Sequence, residues 1–223
     1  MNTPAPRGAK RRRENCRFLT PRPPPRTRPG MDAPSSKALA AFGFLTVLES
    51  PEHGLFGGYL VLSPQGRPLE FRCSTPVVAS RAQEILYGPT LRPYLLTDVI
   101  GQSLIAGSEV SVDVILTDER DMLQLALLRR EQVLHVERLA GDANVPVFEH
   151  SPILLGNSIE FHGCRITASS TFTAETDRLR SNLAPLAANV FLAEPFERIR
   201  AALTEAQLAT HEAAEYHDDR AAA

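Results

Sequence analysis

The sequence has little cysteine and no long apolar run, and each shortage excludes a class of protein. Its three cysteines, Cys16, Cys73 and Cys164, are too few and too scattered for a disulfide framework, which favours a reducing compartment. The longest apolar run, residues 38–48, falls well short of the roughly 18 residues that a membrane span requires. No small-residue cleavage site follows that run, as a secretory leader would need. We therefore expect a cytoplasmic protein that contacts no membrane.

Positive charge is concentrated at the start of the chain. Residues 1–30 hold nine Lys or Arg against one acid, Glu14, and seven of the 18 prolines. Such a segment cannot bury enough apolar surface to fold, so we expect a disordered basic arm over residues 1–36. Because the composition changes sharply there, the arm is alternatively untranslated sequence ahead of a true start at Met31. The other 193 residues carry a net charge of −10, which argues against nucleic acid as a partner of the folded body.

The stretch from Ala41 to Cys73 predicts three antiparallel strands. Phe44–Leu48 and Gly58–Leu62 are apolar on both faces, as in strands that are covered on both sides. Ser63-Pro64-Gln65-Gly66 supplies the residues of a tight hairpin. The third strand alternates, with Leu69, Phe71 and Cys73 on the core side. We expect the rest of the chain to pack on this ribbon.

Helix and strand signals alternate after the ribbon. Ser80 and Gln83 have the spacing of a capping box that opens a helix, and Thr90 is a candidate cap for the next helix. That second helix carries an apolar stripe made of Leu96, Ile100 and Leu104. The following elements are a strand at Val110–Leu116, a helix from Thr117 to Arg130, and a strand at Val133–Leu139. The two strands should be parallel and joined by a right-handed crossover.

The C-terminal part predicts a hairpin and two helices. The hairpin turns at His162-Gly163-Cys164, and Thr173 is the candidate cap of the first helix. The two helices present apolar stripes, namely Leu179, Leu183 and Leu186, then Phe196, Ile199 and Leu203. We expect a single α/β domain at residues 37–209, with its core at 41–140, the hairpin and helices at 141–209, and a frayed tail at 210–223.

This order of three antiparallel strands, helix, strand, helix, strand and helix resembles the ribonuclease-H-like superfamily over about residues 41–139. The resemblance implies a mixed sheet and, in the nucleases of that superfamily, two metal ions held by carboxylates. Those carboxylates lie midway along the first strand, in the first helix, and just after the fourth strand. Glu84 and Asp118 match the second and third places. At the first place, midway along the first strand, the sequence has Leu45-Thr46-Val47 and no carboxylate. Glu49 at the end of that strand is the only substitute.

Asp118 also has a structural explanation. Asp118, Glu119 and Asp121 fall in the first turn of the predicted helix, where acids interact favourably with unpaired backbone N–H groups by about 0.3–1 kcal/mol each. We prefer that explanation for Asp118 to a catalytic one.

Two further constellations are candidates for a site. Cys73, His162 and Cys164 could contribute to a thiolate and imidazole metal site, but no Cys-x-x-Cys accompanies them, and buried thiols are the simpler interpretation. Arg81, Tyr87, Arg92 and Tyr94 surround a helix corner, and these residue types anchor binding surfaces.

The leading hypothesis from the sequence is therefore a non-enzymatic α/β module that binds a partner protein or small ligand at this corner. The alternatives are a metal-dependent phosphodiesterase of ribonuclease-H-like type using Glu49, Glu84 and Asp118, and a cysteine- or zinc-dependent protein. The sequence identifies no cofactor.

Overall fold

The first three strands form the antiparallel ribbon that the sequence predicts. In the computed structural model, which describes residues 41–51, 53–139, 155–169 and 176–221, they are β1 (Phe42–Ser50), β2 (Gly54–Leu62) and β3 (Pro68–Cys73). β2 pairs antiparallel with both β1 and β3. Phe44 and Leu45 are both fully buried, so β1 is covered on both faces.

Two parallel strands extend the sheet on the other side of β1. β4 (Val114–Thr117) pairs parallel with β1, and β5 (Gln132–Arg138) pairs parallel with β4. A hairpin of β6 (Leu155–Phe161) and β7 (Cys164–Ser169) adds to β5 through an antiparallel β5–β7 pair. Over the described residues the strand order is β3-β2-β1-β4-β5-β7-β6. The β3-β2-β1-β4-β5 part, antiparallel and then parallel, is the ribonuclease-H-like arrangement, so the predicted fold class is confirmed.

Helical segments cover both faces. α1 (Arg81–Tyr87) opens with the predicted capping box, and a 3₁₀ turn (Gly88–Thr90) follows it. α2 (Leu91–Tyr94), a π-helical stretch (Leu95–Gly101) and α3 (Gln102–Ala106) then form a continuous run. A 3₁₀ segment (Arg120–Leu127) joins β4 to β5, and α4 (Thr176–Ala187) and α5 (Glu194–Ala221) complete the chain. Within the described residues, no helix is both long and apolar enough to cross a bilayer.

The alternation of the strands creates two separate cores. On one face, Leu45, Ile100 and Ile115 belong to a buried cluster beneath the α2–α3 run. On the other face, Phe44, Leu116 and Phe196 belong to a cluster beneath α4 and α5, and the Phe44 and Phe196 rings meet edge to face at 5.4 Å.

Glycine allows helices to approach β2 closely on both faces. A Cβ atom on Gly57 would overlap the side chain of Ile100, and one on Gly58 would overlap Ile199. The pair Gly57-Gly58 therefore lets the π-helical stretch and α5 lie directly against the sheet from opposite sides.

Several local predictions differ from the structure. The fourth strand begins at Val114 because the backbone N–H of Val110 donates to the Glu70 carboxylate and not to a strand partner. The segment after β4 is a 3₁₀ helix that ends at Leu127, short of the predicted Arg130. Thr90 does not cap α2; its hydroxyl donates to the Tyr87 carbonyl at 2.8 Å. The predicted arm and Thr173 lie outside the described residues.

Candidate active site

The parallel strands place several ionisable side chains at one edge of the sheet. Leu45 of β1 pairs with Thr117 of β4, which pairs with His135 of β5. The carboxyl ends of parallel strands form the ligand-binding edge of open α/β sheets. Asp118 directly follows β4, and Glu49 lies near the end of β1, so both belong to this edge, which we call the carboxyl edge.

On the α5 side of the carboxyl edge, Asp118 is paired with a cation. Arg200 of α5 donates from Nη2 to the Asp118 carboxylate. The other carboxylate oxygen, Oδ1, is buried and has no hydrogen-bond partner among the described residues. Thr46 is the residue after Leu45 on β1, just as Asp118 is the residue after Thr117 on the chain. The Thr46 side chain is fully buried, and its hydroxyl also has no hydrogen-bond partner among the described residues. Thr46 lies midway along β1, where the resemblance to the ribonuclease-H-like superfamily implies a carboxylate.

On the opposite side, three carboxylates converge on Arg92. The Arg92 guanidinium lies 2.7 Å from Glu49, 3.5 Å from Glu119 and 4.0 Å from Asp121. Burial disfavours the charged guanidinium, but the hydrogen bond to Glu49 and the charges of Glu119 and Asp121 outweigh it and raise the pKa of Arg92. Burial also raises the pKa of Glu119, with Arg92 counteracting and Asp118 adding to the shift.

His135 contributes a neutral imidazole to the same edge. Burial lowers its pKa, while the charge of Glu137 and a hydrogen bond with the Asp118 backbone oppose that shift. A histidine whose pKa lies below 6.5 is uncharged at pH 7. Sequence reasoning did not single out His135; its pairing with Thr117, one residue before Asp118, was the signal that could have found it.

The three predicted catalytic acids do not converge. Glu49 and Asp118 share the carboxyl edge but face opposite sides of the sheet, with Arg92 on one and Arg200 on the other. Glu84 pairs with Arg81 at 2.8 Å within α1, a helix that buries none of its residues. In the part of the chain that the structure describes, no three His, Cys, Asp or Glu side chains are arranged to hold a metal ion.

These residues do not fit the divalent metal ions that the superfamily implies. Thr46 brings no carboxylate to the middle of β1, and Asp118 Oδ2, Glu49 and Glu119 already accept from guanidinium groups.

The candidate cysteine site is also dispersed. Cys73 on β3 and Cys164 on β7 are five strand positions apart in the sheet, or about 24 Å at the usual strand spacing. Both are buried and neither forms a disulfide among the described residues, and burial raises the pKa of Cys164. His162 lies in the β6–β7 turn with φ of 49° and contacts the Phe161 ring at 4.4 Å.

The predicted binding corner is engaged internally. The rings of Tyr87 and Tyr94 stack on each other with their centroids 4.5 Å apart, Arg81 pairs with Glu84, and Arg92 pairs with Glu49. Arg92 thus belongs to the carboxyl edge.

Comparison with known proteins gives only remote structural likenesses. No protein-family model and no curated protein matches the chain. Among solved structures, the catalytic domain of human endonuclease V is 17% identical at a TM-score of 0.41, covering 77% of this chain and 87% of that one. Ciona intestinalis endonuclease V, solved with a 23mer DNA containing an inosine followed by a ribo-adenosine, is 10% identical at a TM-score of 0.43, covering 77% and 88%. At such values, no site residue and no substrate transfers to this chain.

The comparisons nevertheless correct two sequence predictions. The neighbours are nucleases, so the leading hypothesis of a non-enzymatic binding module is wrong, and the phosphodiesterase alternative fits better. The expectation that nucleic acid is an unlikely partner is unsupported, because the net charge of a whole body does not set the local charge at one edge of a sheet.

Proposed function

We propose that this protein is a phosphodiesterase that acts on nucleic acid at the carboxyl edge. The ribonuclease-H-like strand order supports this location, because it brings the ends of β1, β4 and β5 together. The edge holds acids, a neutral imidazole and arginines. Acids and imidazoles move protons, and arginines bind phosphate.

The observation that carries the proposal is the state of Asp118. It directly follows β4, and its Oδ1 is buried without a hydrogen-bond partner in the described part of the chain. A buried oxygen left unsatisfied costs about 1–3 kcal/mol, and such groups in native proteins call for an explanation, of which a catalytic role is one. We assign Asp118 the role of accepting the proton of a water that attacks the phosphorus atom, while the P–O bond to the leaving sugar oxygen breaks and that oxygen takes a proton from solvent.

Arg200 completes the proposed chemistry. Its guanidinium holds the other Asp118 oxygen, which fixes the orientation of the carboxylate. A guanidinium has five N–H donors, so the donors that do not face Asp118 are available to a phosphate group. His135, neutral and bonded to the Asp118 backbone, supports the turn that presents Asp118.

The basic side chains of residues 1–30 supply the electrostatic attraction to nucleic acid that the acidic body lacks. Nine Lys or Arg in that segment would bind phosphates without regard to sequence. A cytoplasmic location, expected from the three scattered cysteines, remains part of the proposal.

Cleavage assays with matched acid variants test this function. The full chain is incubated with labelled single- and double-stranded DNA and RNA oligonucleotides, in Mg²⁺, in Mn²⁺ and in EDTA. Asp118→Asn should slow cleavage by about 100-fold or more, the usual scale for a lost proton acceptor. Asp177→Asn, the same change at a side chain that is 96% exposed, should leave the rate unchanged. Absence of cleavage by the unmodified chain under every condition, or equal rates for the two variants, would refute the proposal.

A further inference from the structure

We infer that arginine side chains take the place of metal ions at the carboxyl edge, so that its carboxylates bind no divalent cation. This inference rests on the proposed function only in taking the carboxyl edge as the site. It departs from what the fold implies, since the superfamily's nucleases hold their metals with carboxylates at this edge.

Arg92 is the first built-in cation. Glu49, Glu119 and Asp121 all lie within 4.0 Å of its guanidinium, although they come from β1, the β4 connection and the following 3₁₀ segment. A guanidinium keeps its charge at every relevant pH. A divalent ion placed among these carboxylates would meet that charge at contact distance and would have to displace it.

Arg200 is the second built-in cation, on the other face of the sheet. It occupies one oxygen of Asp118, and the neighbouring position on β1 is Thr46, which brings a hydroxyl and no charge. One carboxylate that is already paired is too few for a magnesium or manganese site, which draws on several oxygen ligands. Among the described residues, neither face therefore offers a divalent ion a group of carboxylates that could hold it.

The chemical consequence is that phosphate recognition at this edge falls to N–H donors. Guanidinium groups pair with phosphate through two parallel hydrogen bonds, and they do so without any metal. Any cleavage at this edge should therefore persist when divalent ions are removed.

Manganese binding tests the inference without reference to activity. Free Mn²⁺ is measured by electron paramagnetic resonance during titration of the full chain and of Arg92→Gln, which leaves the three acids without their shared cation. The unmodified chain should show no more affinity than a chain carrying Arg180→Gln, a change at a surface arginine that lies 3.9 Å from Asp177. Arg92→Gln should bind Mn²⁺ at least about tenfold more tightly, and adding Glu119→Gln should reverse that gain.

The outcomes separate this inference from the proposed function. Tight binding of one or two Mn²⁺ by the unmodified chain would overturn the inference while leaving a metal-dependent nuclease intact. No gain in Arg92→Gln, with circular dichroism showing that the variant is folded, would also overturn it. Conversely, absence of Mn²⁺ binding together with absence of cleavage would refute the proposed function and leave the arginine assignment standing.

Discussion

Arg200 donates a hydrogen bond to Asp118, which lies 82 residues earlier in the chain. The contact ties α5 to the connection after β4, at the edge where the parallel strands end. Together with the Phe44–Phe196 ring contact, it fixes α5 across the first strand. The orientation of Asp118 thus depends on a helix that belongs to a distant part of the sequence.

The Asp118–Arg200 pair should contribute measurably to stability. Its side chains are 17% and 39% exposed, so we expect a coupling energy near the top of the 0.2–1 kcal/mol range for exposed pairs. A double-mutant cycle with Asp118→Asn and Arg200→Gln, followed by urea denaturation, measures it. The Asp177–Arg180 pair, whose side chains are 96% and 49% exposed, should give a smaller coupling. Equal couplings would show that the Arg200 contact does not hold α5.

The close approach of α5 to β2 depends on glycine at position 58. Gly58→Ala should destabilise the protein by about 1–3 kcal/mol, as overpacking does, because the new Cβ would overlap Ile199 and lie 3.2 Å from Leu203. In an Ile199→Ala background the same change should cost much less, since the overlapping methyl group is gone. Strictly additive free energies of unfolding would contradict the packing of α5 on Gly58.

Tyr59 should make the protein less stable in alkali. Burial raises the pKa of its hydroxyl above the ordinary value of 10.0, and the charges of Glu131 and Glu70 add to the shift. The folded state therefore holds this proton more tightly than the unfolded state, so stability that is fully present below about pH 10 declines as the pH rises further.

Replacing Tyr59 with Phe isolates that effect. The hydroxyl is buried and has no hydrogen-bond partner among the described residues, so Tyr59→Phe should be neutral or stabilising by up to about 1 kcal/mol at pH 8. It should also flatten the decline between pH 9.5 and 11 in urea denaturation. A large loss of stability at pH 8 would reveal a partner for the hydroxyl.

His135 should make the protein less stable in acid. Because burial lowers its pKa, the unfolded state takes up a proton first as the pH falls below about 6.5. The contribution of His135 to the free energy of unfolding is therefore fully present above pH 6.5, and it is lost as the pH falls toward the folded-state pKa. Glu119, whose pKa is raised, acts in the opposite direction over part of this range.

Comparing the pH dependence of stability in the unmodified chain and in His135→Gln isolates the contribution of His135, because Glu119 is present in both and its contribution cancels. The free energy of unfolding of the variant should vary less between pH 7 and pH 5.5 than that of the unmodified chain. Nuclear magnetic resonance titration of the His135 ring should give a pKa below 6.5. A pKa at or above that value would contradict the buried, neutral imidazole.

The sequence predicted the sheet better than it predicted the site. The apolar runs of β1 and β2 are local signals, and they correctly indicated that Phe44 and Leu60 are buried. The fourth strand was predicted too long because Val110 has strand-like neighbours, whereas its N–H bonds with Glu70 from β3. That competing partner lies 40 residues away, where no local pattern reveals it.

The charges of the site were beyond local patterns for the same reason. The missing carboxylate at Thr46 could be read directly from β1. The partners of the remaining acids could not. Arg92 reaches Glu49 across 43 residues, and Arg200 lies beside the apolar stripe of α5 with no local sign that it contacts Asp118. Strand pairing and helix docking decide which charges meet, and both depend on the whole fold.

Cleavage in the absence of divalent ions is the decisive test of catalysis by Asp118 without a metal. The rate of cleavage of a labelled oligonucleotide is measured in excess EDTA and again with Mg²⁺, for the unmodified chain and for Asp118→Asn. We predict equal rates in the two buffers for the unmodified chain and a rate about 100-fold lower for Asp118→Asn. Cleavage that needs Mg²⁺, or no cleavage in either buffer, would contradict a metal-independent phosphodiesterase centred on Asp118.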